Sequence, residues 1–235
     1  MDEIQIYVRV TILILGIAYP ILLQVVARLD EKYESNHIVE LFDKEASKRW
    51  FKYSLILSLV AIFVWTFKFK PLFQCDGSNY LINNSASILV LLSSTILVIF
   101  FFRFVNKILI YYTPTKFITY LRKKHEKSNS DLIYFNALAD MFILSVRKQN
   151  HNISQPLSRF FYEAFNTERK KFTSEPVQFP DDYYSLVYKV IEELAVQKTK
   201  KNIALEYRTS GGIWLLGELK GYEISEATYT WLWRN

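Results

Sequence analysis

An apolar run from Ser87 to Tyr112 is the feature that most constrains how this chain can fold. It is the longest such run, and no charged residue interrupts it before Arg103. At a rise of about 1.5 Å per residue, a helix of this length crosses a bilayer core of roughly 30 Å. The run therefore predicts a membrane-spanning helix over residues 87–112.

A second apolar segment, residues 6–29, predicts another span near the N-terminus. Asp2 and Glu3 precede it, whereas a cleaved signal peptide begins with basic residues and has a shorter apolar core. We therefore expect a retained transmembrane helix. Within it, Pro20 predicts a local kink, and Gly16 permits the close approach of another helix.

Residues 51–67 predict the remaining span, because lysines and aromatic residues flank an apolar core in the manner of a membrane interface. Residues 30–50 carry apolar side chains at helical spacing among charges, which predicts an amphipathic helix or helical hairpin. Residues 72–86 form a polar connection rich in turn-forming residues. We therefore expect a transmembrane domain over residues 1–112.

Basic residues are distributed unevenly around the three predicted spans. The first connection and the segment after the third span are rich in Lys and Arg, whereas the second connection has only Lys68 and Lys70. The positive-inside rule then places the N-terminus outside and the C-terminal half in the cytoplasm. We expect a multi-pass protein of a cell inner membrane.

The C-terminal half, residues 113–235, is predicted to be a cytoplasmic helical domain. Thr113 and Pro114 form a helix-start pattern, and Ser154 and Ser225 are predicted caps. Short connections between amphipathic segments favour a helical bundle or an α-solenoid fragment. The predicted helices cover residues 115–126, 131–148, 154–171, 202–219, one beginning at Asp181 and a last one after Ser225.

Charge and cysteine content exclude some classes of protein. The net charge of +6 comes largely from Lys and Arg beside apolar segments, so a membrane explains it better than nucleic acid does. Cys75 is the single cysteine, which excludes an intrachain disulfide. We expect lipid, and anionic lipid in particular, rather than nucleic acid as a partner.

No sequence motif for a reaction is present. The chain has no phosphate-binding glycine loop, no His-Glu-x-x-His and no Cys-x-x-Cys. His37, His125 and His151 lie far apart in sequence. A helix N-terminus explains the paired carboxylates at 181–182, and a solvated helix face explains those at 192–193. We therefore expect no enzyme activity, no metal site and no cofactor.

A short segment resembles a known family. Residues 135–140, Phe-Asn-Ala-Leu-Ala-Asp, followed by Asn152 and Pro156, are similar to a helix-and-loop pattern in an uncharacterised family of predicted bacterial inner-membrane proteins. The resemblance implies several spans ahead of a cytoplasmic helical region. It covers about a tenth of the chain and implies no site residue.

The sequence leaves two functional hypotheses. The first is an oligomeric pore or channel-like assembly organised by the cytoplasmic domain, since three spans are too few to enclose a path alone. The alternative is a membrane-anchored adaptor or sensor whose helical domain binds a protein partner.

Three sets of residues go with these hypotheses. Pore-lining or helix-packing candidates are Gly16, Pro20, Gln24, Ser93, Ser94 and Thr95. Candidates for lipid headgroups are Arg103, Lys107, Lys116, Arg122, Lys123 and Lys124. Partner-binding candidates are Trp231 and Trp233.

Overall fold

The computed structural model describes residues 2–67, 85–128, 132–172, 176–196 and 223–234. Within these ranges the chain is helical, apart from turns and one isolated parallel bridge between Val177 and Ile224. The all-helical expectation is therefore confirmed for the described residues. The helices are α1 (Asp2–Tyr33), α2 (Asn36–Asp43), α3 (Ala46–Thr66), α4 (Ser85–Tyr112), α5 (Pro114–Lys127), α6 (Leu132–Arg147), α7 (His151–Arg169), α8 (Asp181–Val196) and α9 (Glu226–Arg234).

Three of these helices, α1, α3 and α4, are long and apolar enough to cross a membrane, as predicted. Their 32, 21 and 28 residues correspond to lengths of about 48, 32 and 42 Å. The helix α4 begins only two residues before the predicted Ser87. The other two extend further than predicted, since α1 continues to Tyr33 and α3 begins at Ala46.

The chain divides into two compact units. The first comprises residues 1–32 and 38–113, and the second comprises residues 33–37 and 114–235. Residues 33–37 thus belong to the same unit as the C-terminal half of the chain.

In the first unit, α4 lies antiparallel to α3. Near the start of α3, Trp50 stacks on Phe100 and Phe51 on Phe104, with ring centroids 5.9 and 5.1 Å apart. Further along α3, Ser58 donates to the carbonyl of Ser93 at 3.0 Å. Later residues of α3 thus meet earlier residues of α4.

The helix α1 lies parallel to α4. Thr11 and Ser94 join their hydroxyls at 3.1 Å near one end, and Lys32 donates to the Tyr112 carbonyl at 2.6 Å near the other. The buried side of α1 is a stripe at helical spacing: Thr11, Ile14, Ala18, Val25 and Leu29.

The outward faces of these three helices are apolar. Large side chains are exposed on each, including Leu13 on α1, Phe63 on α3 and Phe102 on α4, which is 66% exposed. An exposed apolar surface of this extent is typical of a protein that meets lipid or another apolar partner.

The predicted amphipathic element is shorter than residues 30–50. The helix α1 takes the first residues of this range and α3 takes the last, which leaves α2 between two turns. Ile38 and Phe42 are fully buried, and the Phe42 ring packs edge-on against Tyr111 at 5.2 Å. The apolar face of α2 is thus buried within the first unit.

The second unit is built around α6. The sequence also predicts a buried stripe of Ile133, Ala137, Leu138, Met141 and Leu144, and all of these are buried except Ile133, which is partly exposed. Phe135, Ala139, Phe142 and Val146, on other sides of the helix, are buried as well. A helix that is apolar around most of its circumference belongs in a core. The helices α5, α7 and α8 contact it accordingly.

Helix ends match the predictions unevenly. Pro114 is the first residue of α5, as predicted. Thr113 is not its cap, because the Thr113 hydroxyl and N–H both bond to the Leu109 carbonyl, at 2.9 and 3.1 Å, and so end α4. Ser225 caps α9 as predicted, accepting from the N–H of Thr228 at 3.2 Å.

The predicted cap at Ser154 is wrong. The helix α7 begins at His151, with Asn150 in the N-cap position, so Ser154 lies inside it and is buried. Pro156 consequently falls after the first turn. The predicted helix over 202–219, and residues 72–84 of the polar connection including Cys75, lie outside the described residues.

The core role of α6 gives a first prediction. Phe135 is fully buried and stacks on Tyr183 with centroids 4.2 Å apart. Replacing Phe135 with Ala should lower the free energy of unfolding of the C-terminal unit by about 3–5 kcal/mol, since it leaves a cavity. Chemical denaturation in detergent measures this. Tyr188→Ala, at a side chain that is 49% exposed, is the control and should change the value by less than about 1 kcal/mol.

Candidate functional site

The candidate site is the turn between α1 and α2, residues 33–37, together with the parts of the C-terminal unit that hold it. Glu34, the residue after α1, has a φ of 49°, in the left-handed region that favours glycine. This conformation costs a non-glycine residue about 1 kcal/mol. The surrounding contacts must stabilise the turn by at least that much.

The Glu34 carboxylate is held by the C-terminal end of α6 and the residue after it. Arg147 donates to one of its oxygens at 2.8 Å, and the Lys148 ammonium lies 3.2 Å from the other. All three side chains are about half exposed, so solvent weakens each ion pair. The pairs orient the turn more than they stabilise it.

Asp140, in the middle of α6, makes the less exposed contact. One of its carboxylate oxygens accepts a hydrogen bond from the Ser35 hydroxyl at 2.5 Å and another from His37 Nδ1 at 2.9 Å. Ser35 is 3% exposed and the Asp140 side chain 22% exposed. Hydrogen bonds to an ionised carboxylate with little solvent access are roughly twice as strong as neutral ones.

Two further contacts complete the attachment of the turn. The buried Tyr33 ring lies 5.6 Å from the Phe117 ring of α5. Arg147 also donates to Glu193 of α8, at 2.5 and 2.9 Å, and this hydrogen bond raises the pKa of Arg147. The turn is thereby linked to α5 and α6, and through Arg147 to α8.

Ser35, His37 and Asp140 do not form a catalytic triad. In a triad the histidine lies between the carboxylate and the serine hydroxyl. Here Ser35 and His37 bond to the same oxygen of Asp140, and Ser35 is buried. This geometry holds a turn in place and leaves no activated nucleophile.

A small cavity of about 300 Å³ adjoins the turn. Carboxylates of Glu34, Asp140 and Glu193 line it together with Arg147 and Lys189. Arg147 already bonds to two of these carboxylates. The cavity is therefore the polar margin of the same network.

A larger cavity of about 510 Å³ lies between α5, α7 and the start of α8. His125 lines it, and the His125 Nδ1 atom is buried without a hydrogen-bond partner in the described part of the chain. Burial lowers the pKa of His125 and raises the pKa of Tyr183, which also lines the cavity. Both groups are therefore neutral near neutral pH.

The pore-lining candidates occupy different positions. Ser93 and Ser94 are buried at contacts with α3 and α1, whereas Thr95 is exposed and bonds to the Leu91 carbonyl of its own helix. Gly16 is exposed on α1, and a Cβ added there would meet nothing within 4 Å. Pro20 and Gln24 are also exposed on α1.

The lipid-headgroup candidates divide in the same way. Lys107 lies 3.6 Å from Glu45, and Arg122 donates to Glu163 at 3.0 Å, so carboxylates already neutralise both. Arg103 is exposed and lies over the Phe100 ring. Lys116, Lys123 and Lys124 are exposed on α5.

Sequence reasoning found none of the residues that hold the turn. Ser35 and Asp140 are separated by 105 positions, and Glu34 and Arg147 by 113. No spacing rule connects residues this far apart. The partner-binding candidates Trp231 and Trp233 belong to α9, and their side chains lie outside the described residues.

No family model, curated protein or solved structure matches this chain.

Loss of the Asp140 charge should loosen the turn. Asp140→Asn keeps the size of the side chain but weakens the hydrogen bonds to Ser35 and His37, so we expect a loss of about 1.5–3 kcal/mol in unfolding free energy. Chemical denaturation of the full chain checks this. Glu40→Gln removes an exposed ion pair with Lys44 and should change the value by about 0.5 kcal/mol or less. Equal effects of the two substitutions would contradict the assignment.

His125 should make stability depend on pH. Because burial lowers its folded-state pKa below the ordinary value of about 6.5, the unfolded chain takes up this proton more readily. Stability is therefore lost as pH falls from about 6.5 toward the folded pKa. His125→Gln should flatten the pH dependence of unfolding between about pH 7 and pH 5. His151→Gln, at an exposed side chain, should leave it unchanged.

Proposed function

We propose that this protein is a membrane-anchored adaptor or sensor, in which the C-terminal helical unit binds a protein partner. The helices α1, α3 and α4 hold it in the inner membrane, with the N-terminus outside and the C-terminal unit in the cytoplasm. One observation carries the proposal: the turn at the end of α1 is bonded into the C-terminal unit by Asp140 and Arg147.

A tether would need only one covalent link between a membrane anchor and a helical domain. Here the chain passes between the two units three times, after residues 32, 37 and 113. The first two passages flank the turn that Asp140 holds. A displacement of α1 along its axis therefore pulls on α6, and a change at α6 pulls on α1.

This connection supplies a physical route for a signal. The route consists of α1, the turn and the polar contacts of Ser35 and Glu34 with α6. A physical account of coupling between distant sites needs an element with two arrangements whose equilibrium both sites bias. We propose that partner binding to the C-terminal unit is one of those biases.

Exposed aromatic side chains supply candidate contact points for a partner. Tyr188 on α8 and Tyr229 on α9 are 49% and 53% exposed. Aromatic residues are enriched among the positions that contribute most to binding energy at protein interfaces. Trp231 and Trp233, in the same helix as Tyr229, stay predicted partner-binding residues.

The oligomeric pore is the second candidate. Gln24 and Thr95 are polar, exposed and located in predicted spans, so they could face a path between several copies. Ser93 and Ser94 already serve contacts within one chain, which leaves a sparse polar lining. We therefore rank the pore below the adaptor.

A recruitment experiment tests the adaptor proposal. Full-length protein in nanodiscs should retain one heterologous protein after chemical crosslinking in a cell extract, identified by mass spectrometry. Asp140→Asn should reduce its recovery several-fold, because loosening the turn changes the state of α6. Glu40→Gln is the matched control and should not reduce it. Recovery of no protein, or equal recovery with both variants, would contradict the proposal.

Planar-bilayer recording of the purified protein separates the two candidates. The adaptor proposal predicts no conductance above that of the empty bilayer. Reproducible single-channel steps that change in size when Gln24 is replaced by Leu would assign the protein to the pore class instead.

A further inference from the structure

We propose that the outward face of α5 binds the headgroups of anionic lipids. This inference rests on the membrane placement in the proposed function and deepens it. It does not depend on a protein partner or on coupling through the turn. The face consists of Lys116, Lys123, Lys124 and Lys127.

The two sides of α5 differ sharply in character. Phe117, Ile118 and Leu121 are buried against the second unit. The four lysines are exposed and recur at helical spacing, about 17 Å along the axis from the first to the last. This face of α5 is therefore basic and accessible to a ligand.

The lysines on this face are not already neutralised. In the described ranges, none of the four lysines forms an ion pair. The Lys124 ammonium lies over the Tyr120 ring, 5.9 Å from its centroid. Arg122, on the same helix, differs because it pairs with Glu163 and lies over Phe160. Glu126 is the one acidic residue of α5. The face therefore carries a net positive charge.

The position of α5 in the chain selects the kind of partner. It begins at Pro114, and one residue, Thr113, separates it from the end of the candidate span α4 at Tyr112. If α4 crosses the membrane, the first turn of α5 must lie at the membrane surface. The cytoplasmic leaflet carries anionic lipid, and its negative potential attracts lysines that lie within a Debye length.

An acidic protein or an RNA would offer the same negative charge as an anionic lipid. Neither is tied to the membrane surface at which α5 must begin, so lipid is the partner that the chain geometry favours. The experiment below treats the other two as distinct outcomes.

Lysine acylation measures the contact directly. The full-length protein is placed in nanodiscs of phosphatidylcholine, alone or mixed with phosphatidylglycerol in equal parts. A water-soluble acylating reagent is then added, and modification at each lysine is followed by mass spectrometry. Lys170 and Lys189 are exposed lysines of the same unit outside α5, and they serve as internal controls.

We expect phosphatidylglycerol to slow acylation of the α5 lysines by about threefold or more, since a surface potential of about −30 mV lowers the fraction of free amine by that factor. The rates at Lys170 and Lys189 should change much less. The protection should disappear at about 1 M salt, where the Debye length is about 3 Å. Equal rates in the two nanodiscs would overturn the proposal.

A competing outcome is equally clear. Protection of the α5 lysines by polyglutamate or RNA, without protection by phosphatidylglycerol, would assign this face to a soluble acidic partner and overturn the lipid proposal. Failure of the adaptor proposal would appear as absent recruitment with the lysine protection intact.

Discussion

The contact on which the rest of this structure depends is the Asp140 carboxylate with its two donors, Ser35 and His37. It joins a turn near the start of the chain to the central helix of the C-terminal unit. The turn has an unfavourable backbone at Glu34, so it needs such contacts to persist. Without them, the turn would no longer be fixed to α6.

Several polar groups of the first unit form hydrogen bonds with one another. Thr11 meets Ser94, Ser58 meets the Ser93 carbonyl, and Glu45 accepts from Tyr111 at 2.9 Å. Hydroxyls that bond across helices are typical of membrane packing, where water is absent and unpaired polar groups are costly. The outward faces are left apolar, as a lipid environment requires.

Sequence reasoning succeeded where the signal was local. The length and hydrophobicity of residues 87–112 predicted α4 to within two residues, and Pro114 and Ser225 marked helix starts correctly. It failed where contacts between residues distant in sequence determine the helix ends and the burial of side chains. Thr113 bonds backward to Leu109 rather than forward, and α6 is buried around most of its circumference because three other helices contact it. In the sequence, Asp140 is a polar residue in a largely apolar helix, and nothing local indicates that it bonds to Ser35 and His37.

A double-mutant cycle between Ser35 and Asp140 tests the central claim most directly. Unfolding free energies of the full chain are measured in one detergent for the unmodified protein, Ser35→Ala, Asp140→Asn and the double variant. Residues in one hydrogen-bonded network show coupling of about 0.5–3 kcal/mol, and the structure predicts a value in that range. Additive effects within about 0.3 kcal/mol would mean that the turn and α6 are energetically independent, which would contradict the account.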